Sequence, residues 1–254
     1  MNHGMQFDAN YTYSHSLGVT VQGSTAPGYY AGRSNSAPGF YTLRDERLNY
    51  FPSAFDVRHV FHASGTYDLP FGRGEPFLNQ NRLLNSIVGG WTLGAIVTYE
   101  SGEPHLFVGG TSTFNQNDSG ITLTNVTPSQ LQHQMHARRI LGKPYVSLFS
   151  SKYINQITGQ SNTTYISPAS TPGQFGRLLW LHDPTNFDTD LSLNKTIPIK
   201  ADISFKFEGV FLNAFNHPSW IGLDSGVQDT TFGTTATPFG IGARQIELRA
   251  NLQF

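Results

Sequence analysis

Arg244-Gln245-Ile246-Glu247-Leu248-Arg249-Ala250-Asn251-Leu252-Gln253-Phe254 alternates with a period of two. Successive side chains of a β-strand point to opposite faces, so the pattern sorts these residues into two sets. Ile246, Leu248, Ala250, Leu252 and Phe254 share a largely apolar face with Arg244. Gln245, Glu247, Arg249, Asn251 and Gln253 make the other face wholly polar. Such a strand divides two solvents.

Five earlier segments repeat the pattern. Phe7, Ala9, Tyr11 and Tyr13 oppose Asp8, Asn10 and Thr12, and Phe61, Ala63, Gly65, Tyr67 and Leu69 oppose His62, Ser64, Thr66 and Asp68. In the third, Trp91, Leu93, Ala95, Val97 and Tyr99 oppose Thr92, Gly94, Thr98 and Glu100, with Ile96 breaking the rule. Leu191, Leu193 and Ile197 oppose Asp188, Asp190, Ser192 and Asn194, and Ile203, Phe205 and Phe207 oppose Ser204, Lys206 and Glu208. Each run is about ten residues, the length a tilted strand needs to cross the hydrocarbon layer, whereas soluble strands are nearer five or six. Tyr13, Tyr67, Trp91, Tyr99 and Phe254 stand towards strand ends, where interfacial girdles lie.

The pattern predicts an all-β chain, an antiparallel up-and-down transmembrane β-barrel segment of about six strands forming an incomplete barrel. Strands are expected near residues 5–16, 57–69, 90–101, 186–197, 201–213 and 243–254. Phe61, Tyr67, Leu93, Val97, Leu193, Phe205, Phe207, Leu248 and Leu252 should face lipid. Asp188, Asp190, Glu208, Glu247 and Arg249 should face a wet lumen, with Lys206 and Glu208 neighbouring the aspartates across the tight turn at Pro198-Ile199-Lys200.

Connection lengths support the same layout. The links Ser16–Val57, Ser101–Asn186 and Leu212–Ala243 are long and rich in Gly, Ser, Thr, Asn and Pro, while the links after Leu69 and Ile197 are shorter. Short periplasmic turns and long extracellular loops are the asymmetry of an outer-membrane barrel. Residues 131–141 read as a short helix within the longest loop, and the glycine- and threonine-rich stretch 226–242 as surface loop.

Composition narrows function. Charged residues are only 13%, hydrophobic residues 38% and aromatics 13%, an unusual balance for a soluble globule. A net charge of −1 argues against nucleic-acid binding, which needs a basic excess. There is no cysteine, hence no thiol nucleophile or disulfide. No catalytic, cofactor-binding or metal site is expected, and the chain does not read as an enzyme. His59 and His62 fall on opposite strand faces and cannot chelate together. His133 and His136 could share a helical face, without an acidic third ligand. Asp188 and Asp190 share a face but fit a polar lumen wall.

Further stretches carry a resemblance. They are Gln6-Phe7-Asp8-Ala9-Asn10-Tyr11-Thr12-Tyr13-Ser14-His15, Tyr67-Asp68-Leu69-Pro70-Phe71-Gly72-Arg73-Gly74, Gly89-Gly90-Trp91, Ser101-Gly102-Glu103-Pro104, Asn186-Phe187-Asp188-Thr189-Asp190-Leu191 and Phe211-Leu212-Asn213-Ala214-Phe215-Asn216-His217-Pro218. Together they resemble the late-barrel motifs of Oar-like TonB-dependent receptors. The resemblance implies that residues 1–254 are the C-terminal part of such a receptor barrel, without its plug and N-terminal domains. It implies energised uptake of a ligand by the full-length protein, in the outer membrane of a Gram-negative-type cell. The alternative is an outer-membrane binding or adhesion barrel acting through its extracellular loops. Implied partners are outer-membrane lipid, the barrel-assembly machinery and, only through the missing regions, the TonB system. Ile246, Leu248, Ala250, Leu252 and Phe254 resemble the signal by which that machinery recognises barrels.

Overall fold

A computed structural model describes residues 4–18, 47, 50–53, 55–72, 75–77, 87–109, 120–171, 176–200, 202–240 and 242–254. Six strands form one antiparallel sheet in sequence order. They are β1 (Met5–Tyr13), β2 (His59–Asp68), β3 (Trp91–Glu100), β4 (Asn186–Lys200), β5 (Ile203–Leu212) and β6 (Gln245–Gln253). Among the described residues each pairs only with its sequence neighbours, and β1 and β6 keep open outer edges, so the sheet does not close there. All six strands expected from periodicity are present, with ends shifted by at most three residues.

The register fixes which side chains share a face, because directly paired residues point the same way. One row reads Met5, Tyr67, Leu93, Leu193, Gly209, Leu248. The next reads Gln6, Thr66, Gly94, Ser192, Val210, Glu247. Every residue assigned to lipid lies on the first face and every one assigned to the lumen on the second. Ile96 is the apolar residue out of place on the polar side of β3, half-exposed.

Lys195 is the inverse exception. It stands in the apolar row Trp91, Lys195, Phe207, Ala250. Its Nζ donates 2.7 Å to the Ile87 carbonyl and sits 5.1 Å from the Trp91 ring centre. That carries the charge off the apolar face to the rim opposite the long loops.

One expected neighbourhood is absent. Glu208 pairs with Asn194, and Lys206 with Thr196, because the β4–β5 register runs Leu191↔Phe211 through Pro198↔Ser204. Asp188 and Asp190 therefore lie at the far end of β4, away from Lys206 and Glu208. Glu208 instead has Arg249 of β6 at 3.9 Å, and Arg249 donates 2.8 Å to Glu247.

The three long links leave the same end of the sheet, and there the hydrophobic core is found. Phe107, Ile121, Leu131, Val146, Leu148, Phe149, Ile166, Leu179, Val227 and Phe232 are buried together, all outside the six strands. Phe149 stacks on Phe232 at 5.6 Å, with Phe107 edge-on to both. By contrast, Phe7 on β1 is 72% exposed and Leu248 on β6 63%. An apolar sheet face so bare needs a non-aqueous neighbour.

This cap knits two links into one unit. Pro104–Phe107 pairs with Leu179–His182, and Ile121–Leu123 with Ile166–Pro168. Val146–Ser147 bridges Arg138–Arg139 on one side and Thr234–Thr235, from the other link, on the second. The Ser161 N–H donates to the Val227 carbonyl at 2.9 Å and the Leu148 N–H to that of Gly233 at 2.8 Å. The stretch 226–242, expected as surface loop, thus supplies Val227 and Phe232 to the core. Its glycine and threonine composition masked two apolar anchors.

Helix α1 spans Pro128–Gln134, starting three residues before the expected segment and ending well short of Leu141. Thr127 accepts from the Gln130 N–H while the Gln130 side chain accepts from the Thr127 N–H, with Pro128 at the first turn. This capping box satisfies two otherwise orphaned donors and sets the start. Met135 then turns into the core, ending the helix.

Candidate functional site in the loop cap

Where the cap meets the strands, carboxylates and histidines are buried together. Asp56, 1% exposed, accepts from the Ser16 N–H at 2.7 Å and from His15 Nδ1 at 2.9 Å, with Arg58 Nε at 3.4 Å. Burial alone would disfavour its charge, yet these three donors hold the carboxyl below the usual carboxylate range. His105 Nε2 lies 2.7 Å from Asp183 Oδ2, both side chains buried, and the Gly222 N–H donates to the same oxygen at 3.2 Å. Burial pushes the Glu103 carboxyl up, with Asp183 adding and His105 opposing, and pushes the His182 imidazole down, with Arg58 adding.

Gly102 makes this junction possible. A Cβ there would overlap the Asp183 carbonyl oxygen, so the Ser101-Gly102-Glu103-Pro104 motif lets two backbones pass in contact. The Asp183 N–H then donates to the Glu103 carbonyl at 2.9 Å. Four buried side-chain atoms, His182 Nε2, Asp183 Oδ1, Asn186 Oδ1 and Thr189 Oγ1, have no hydrogen-bond partner among the described residues. Among those residues no group of three or more His, Asp or Glu is placed to share a metal ion.

The Asn213–Pro218 motif forms the base of the last long link. Asn213 and Asn216 both adopt left-handed backbone, at φ 46° and 53°. The Asn213 N–H donates to Asp190 Oδ1 at 2.9 Å, and its side-chain amide to the Gly242 carbonyl at 2.5 Å. Asn213 Oδ1 accepts from the His217 N–H at 2.9 Å. The chain turns at the asparagines, before Pro218. Asn tolerates left-handed backbone and bonds its own neighbourhood, which suits both positions to the turn.

The arch made by that turn faces the 136–146 segment across an open groove of about 780 Å3. Arg139, Lys143 and Tyr145 come from one wall, His217 and Trp220 from the other, with Pro184 and Thr185 at the foot of β4. The first wall is stiffened by strand pairing at Val146–Ser147, the second by pairing of Trp220–Ile221 with Thr237–Pro238. Periodicity could not reveal the groove, because two links far apart in sequence build it.

His59 and His62 do point to opposite faces. His59 Nδ1 lies 2.8 Å from the Tyr11 hydroxyl on the apolar side, and His62 Nδ1 3.3 Å from Thr98 Oγ1 on the polar side. His133 and His136 share no helical face, since α1 ends between them. His133 Nδ1 bonds the Ser129 carbonyl, and His136 receives Arg138. Asp188 and Asp190 share the polar face. Ile246, Leu248, Ala250 and Leu252 line the apolar face of edge strand β6, and Phe254 beyond it is 95% exposed. Arg73 and Gly74, and most of the first long link, lie outside the described residues.

A family model described as an outer membrane beta barrel domain matches residues 1–247. No curated protein and no solved structure matches the chain significantly.

Proposed function

Since the chain belongs to the outer membrane beta barrel domain family, we propose that its six strands are one sector of the wall of a TonB-dependent receptor, in which they support energised uptake of an external ligand. The protein is an outer-membrane β-barrel protein. The observation that carries the reading is the sheet: a two-faced sequential meander with both outer edges unpaired and a folded cap at one end. In lipid each unpaired backbone group costs several kcal/mol, so edges like these call for further strands. Barrels of about 22 strands enclose a plugged lumen, and the polar face of this sheet suits one wall of it. The apolar face takes lipid as its partner, and β6, through Ile246, Leu248, Ala250, Leu252 and Phe254, takes the barrel-assembly machinery. The TonB system acts through regions outside residues 1–254, and the chain itself carries no catalysis.

Residues 1–254 contain no cysteine, so single cysteines introduced here report cleanly once any cysteine elsewhere in the full-length protein is replaced by serine. In the full-length protein in intact cells, Leu141→Cys and Ile157→Cys on the cap, each 96% exposed, should react with a bulky impermeant maleimide. Asp202→Cys, at the opposite rim, should not. Ser192→Cys on the polar face should be shielded while a plug fills the lumen. Free labelling of Ser192→Cys would overturn the receptor reading in favour of an unplugged binding or adhesion barrel. That second reading draws on the cap, whose packed core is the kind of rigid scaffold on which loops bind partners.

A further inference from the structure

The groove between the two links carries charge of one sign. Arg139 and Lys143 line it, together with His136 and His217, and among the described residues no carboxylate does. Neither Arg139 nor Lys143 has an ion-pair partner among the described residues. The neighbouring Arg138 shows the contrast. Its guanidinium donates to the carbonyls of Gln134 at 2.9 Å, His136 at 3.1 Å and Leu148 at 2.9 Å, so it is occupied in holding the fold. Arg139, one residue on along a short strand, falls to the other side and opens onto the groove.

Aromatic surface accompanies the charge. Tyr145 and Trp220, both half-buried, stand on opposite walls. A volume of about 780 Å3 lies within the 300–1,000 Å3 range of small-molecule sites. A cleft lined by one sign of charge concentrates counter-charged solutes, and an arginine fork fits carboxylate bidentately. Indole and phenol rings give a flat partner large contact area with few rotors to immobilise. The walls are held by strand pairing and by the Asn213–Asn216 turn, so little ordering is left for binding.

We infer that this groove is a binding site for a small organic anion with a ring-shaped body: Arg139 and Lys143 take its carboxylates, and Trp220 and Tyr145 take its rings. The inference rests on the proposal that the cap faces the cell exterior, and it adds the chemistry of what is captured there.

The test uses the full-length protein in detergent micelles, titrated while following tryptophan fluorescence. Digalacturonate and naphthalene-2,6-dicarboxylate are the anionic probes, one with sugar rings and one with aromatic rings, and lactose is the neutral control. At least one dianion should bind saturably, more weakly as sodium chloride is raised, with lactose at least tenfold weaker. Arg139→Gln and Lys143→Gln should each weaken binding on the order of tenfold, the scale of a lost hydrogen bond to a charged group. Both residues are exposed, and unchanged heat-modifiable migration on gels reports an intact barrel. Trp220→Phe should remove most of the signal while leaving dianion binding detectable by calorimetry. Lactose binding as tightly as digalacturonate, neither dianion binding, or affinity unchanged by both glutamine variants would overturn the inference. The maleimide results stand apart from these titrations, so failure of the groove and failure of the receptor reading are distinguishable.

Discussion

Replacing Phe232 with alanine should open the cap and leave the strands paired. Phe232 is fully buried, stacks on Phe149 at 5.6 Å and meets Phe107 at 6.0 Å, in a hydrophobic cluster whose buried members all lie outside the six strands. Phenylalanine-to-alanine changes in a packed core cost about 3–5 kcal/mol, which includes lost ring contacts and an incompletely collapsed cavity. At about 1.4 kcal/mol per factor of ten, the open population of the cap rises by about two to three and a half powers of ten. Hydrogen exchange followed by mass spectrometry on the full-length protein in micelles reads this change. The reporters are the Leu148, Ser161 and Val227 amides, which donate to Gly233, Val227 and Val108 across the cap. Their protection should fall by on the order of 10²–10³, while peptides from β4 and β5 keep theirs. Phe232→Leu, which conserves most of the volume, should cost less than about 1.5 kcal/mol. Unchanged cap protection, or equal loss in β4 and β5, would show that cap and wall are not separate packing units.

Three further outcomes follow from the same geometry. His182 is held more acidic than its ordinary 6.5, so its contribution is present above that pH and is lost as pH falls through its lowered folded value. Exchange protection of the Leu179–His182 strand should therefore decline below about pH 6.5, and His182→Gln should flatten that slope while keeping the two hydrogen bonds that Gln132 of α1 makes to the residue's backbone. Gly102→Ala should disrupt the Asp183 junction and expose the cap to trypsin on intact cells, whereas Gly142→Ala, which meets nothing within 4 Å but sits at φ 75°, should cost only about 1 kcal/mol. Phe254→Asp should lower the yield of surface-exposed, heat-modifiable full-length barrel with synthesis unchanged, and normal assembly would leave Phe254 only a local role.

The wall was legible in the sequence almost strand by strand, because its rule is local. Period two, run length and aromatic placement need only ten neighbouring residues, and Leu93 or Asp190 declares its face without knowing its partner. Ile96 and Lys195 defeat the rule for reasons found only in space, Lys195 because the Ile87 carbonyl and Trp91 ring take its charge. Register was less legible. The tight turn suggests that Asp190 and Glu208 are neighbours, but the β4–β5 pairing sets Glu208 beside Asn194, four residues along β4 from Asp190. The cap was scarcely legible. Phe107, Phe149 and Phe232 are single apolar residues in polar stretches, with no periodicity to join them, and their meeting depends on strand ends brought together by the sheet. The groove inherits that opacity, because Arg139 and Trp220 are 81 positions apart in the chain.

The division of labour between wall and cap follows from how the links are closed. The 101–185 link leaves β3 at Glu100 and returns to β4 at Asn186, and those two residues are paired. The wall therefore holds the ends of every long link together, and further lengthening of such a link adds only about 0.6 kcal/mol per doubling. Lipid constrains the strands to alternate, so their side chains can vary little in kind. The links carry no such constraint, and they must supply their own core to become ordered, as Phe149 and Phe232 do here. A recognition surface built on that core can be rewritten at Arg139, Lys143 or Trp220 without touching the register of a single wall strand. Under the proposed reading, specificity belongs in the cap, because the physics of the bilayer leaves it room nowhere else on this sheet except the polar face that carries Asp188, Asp190 and Ser192.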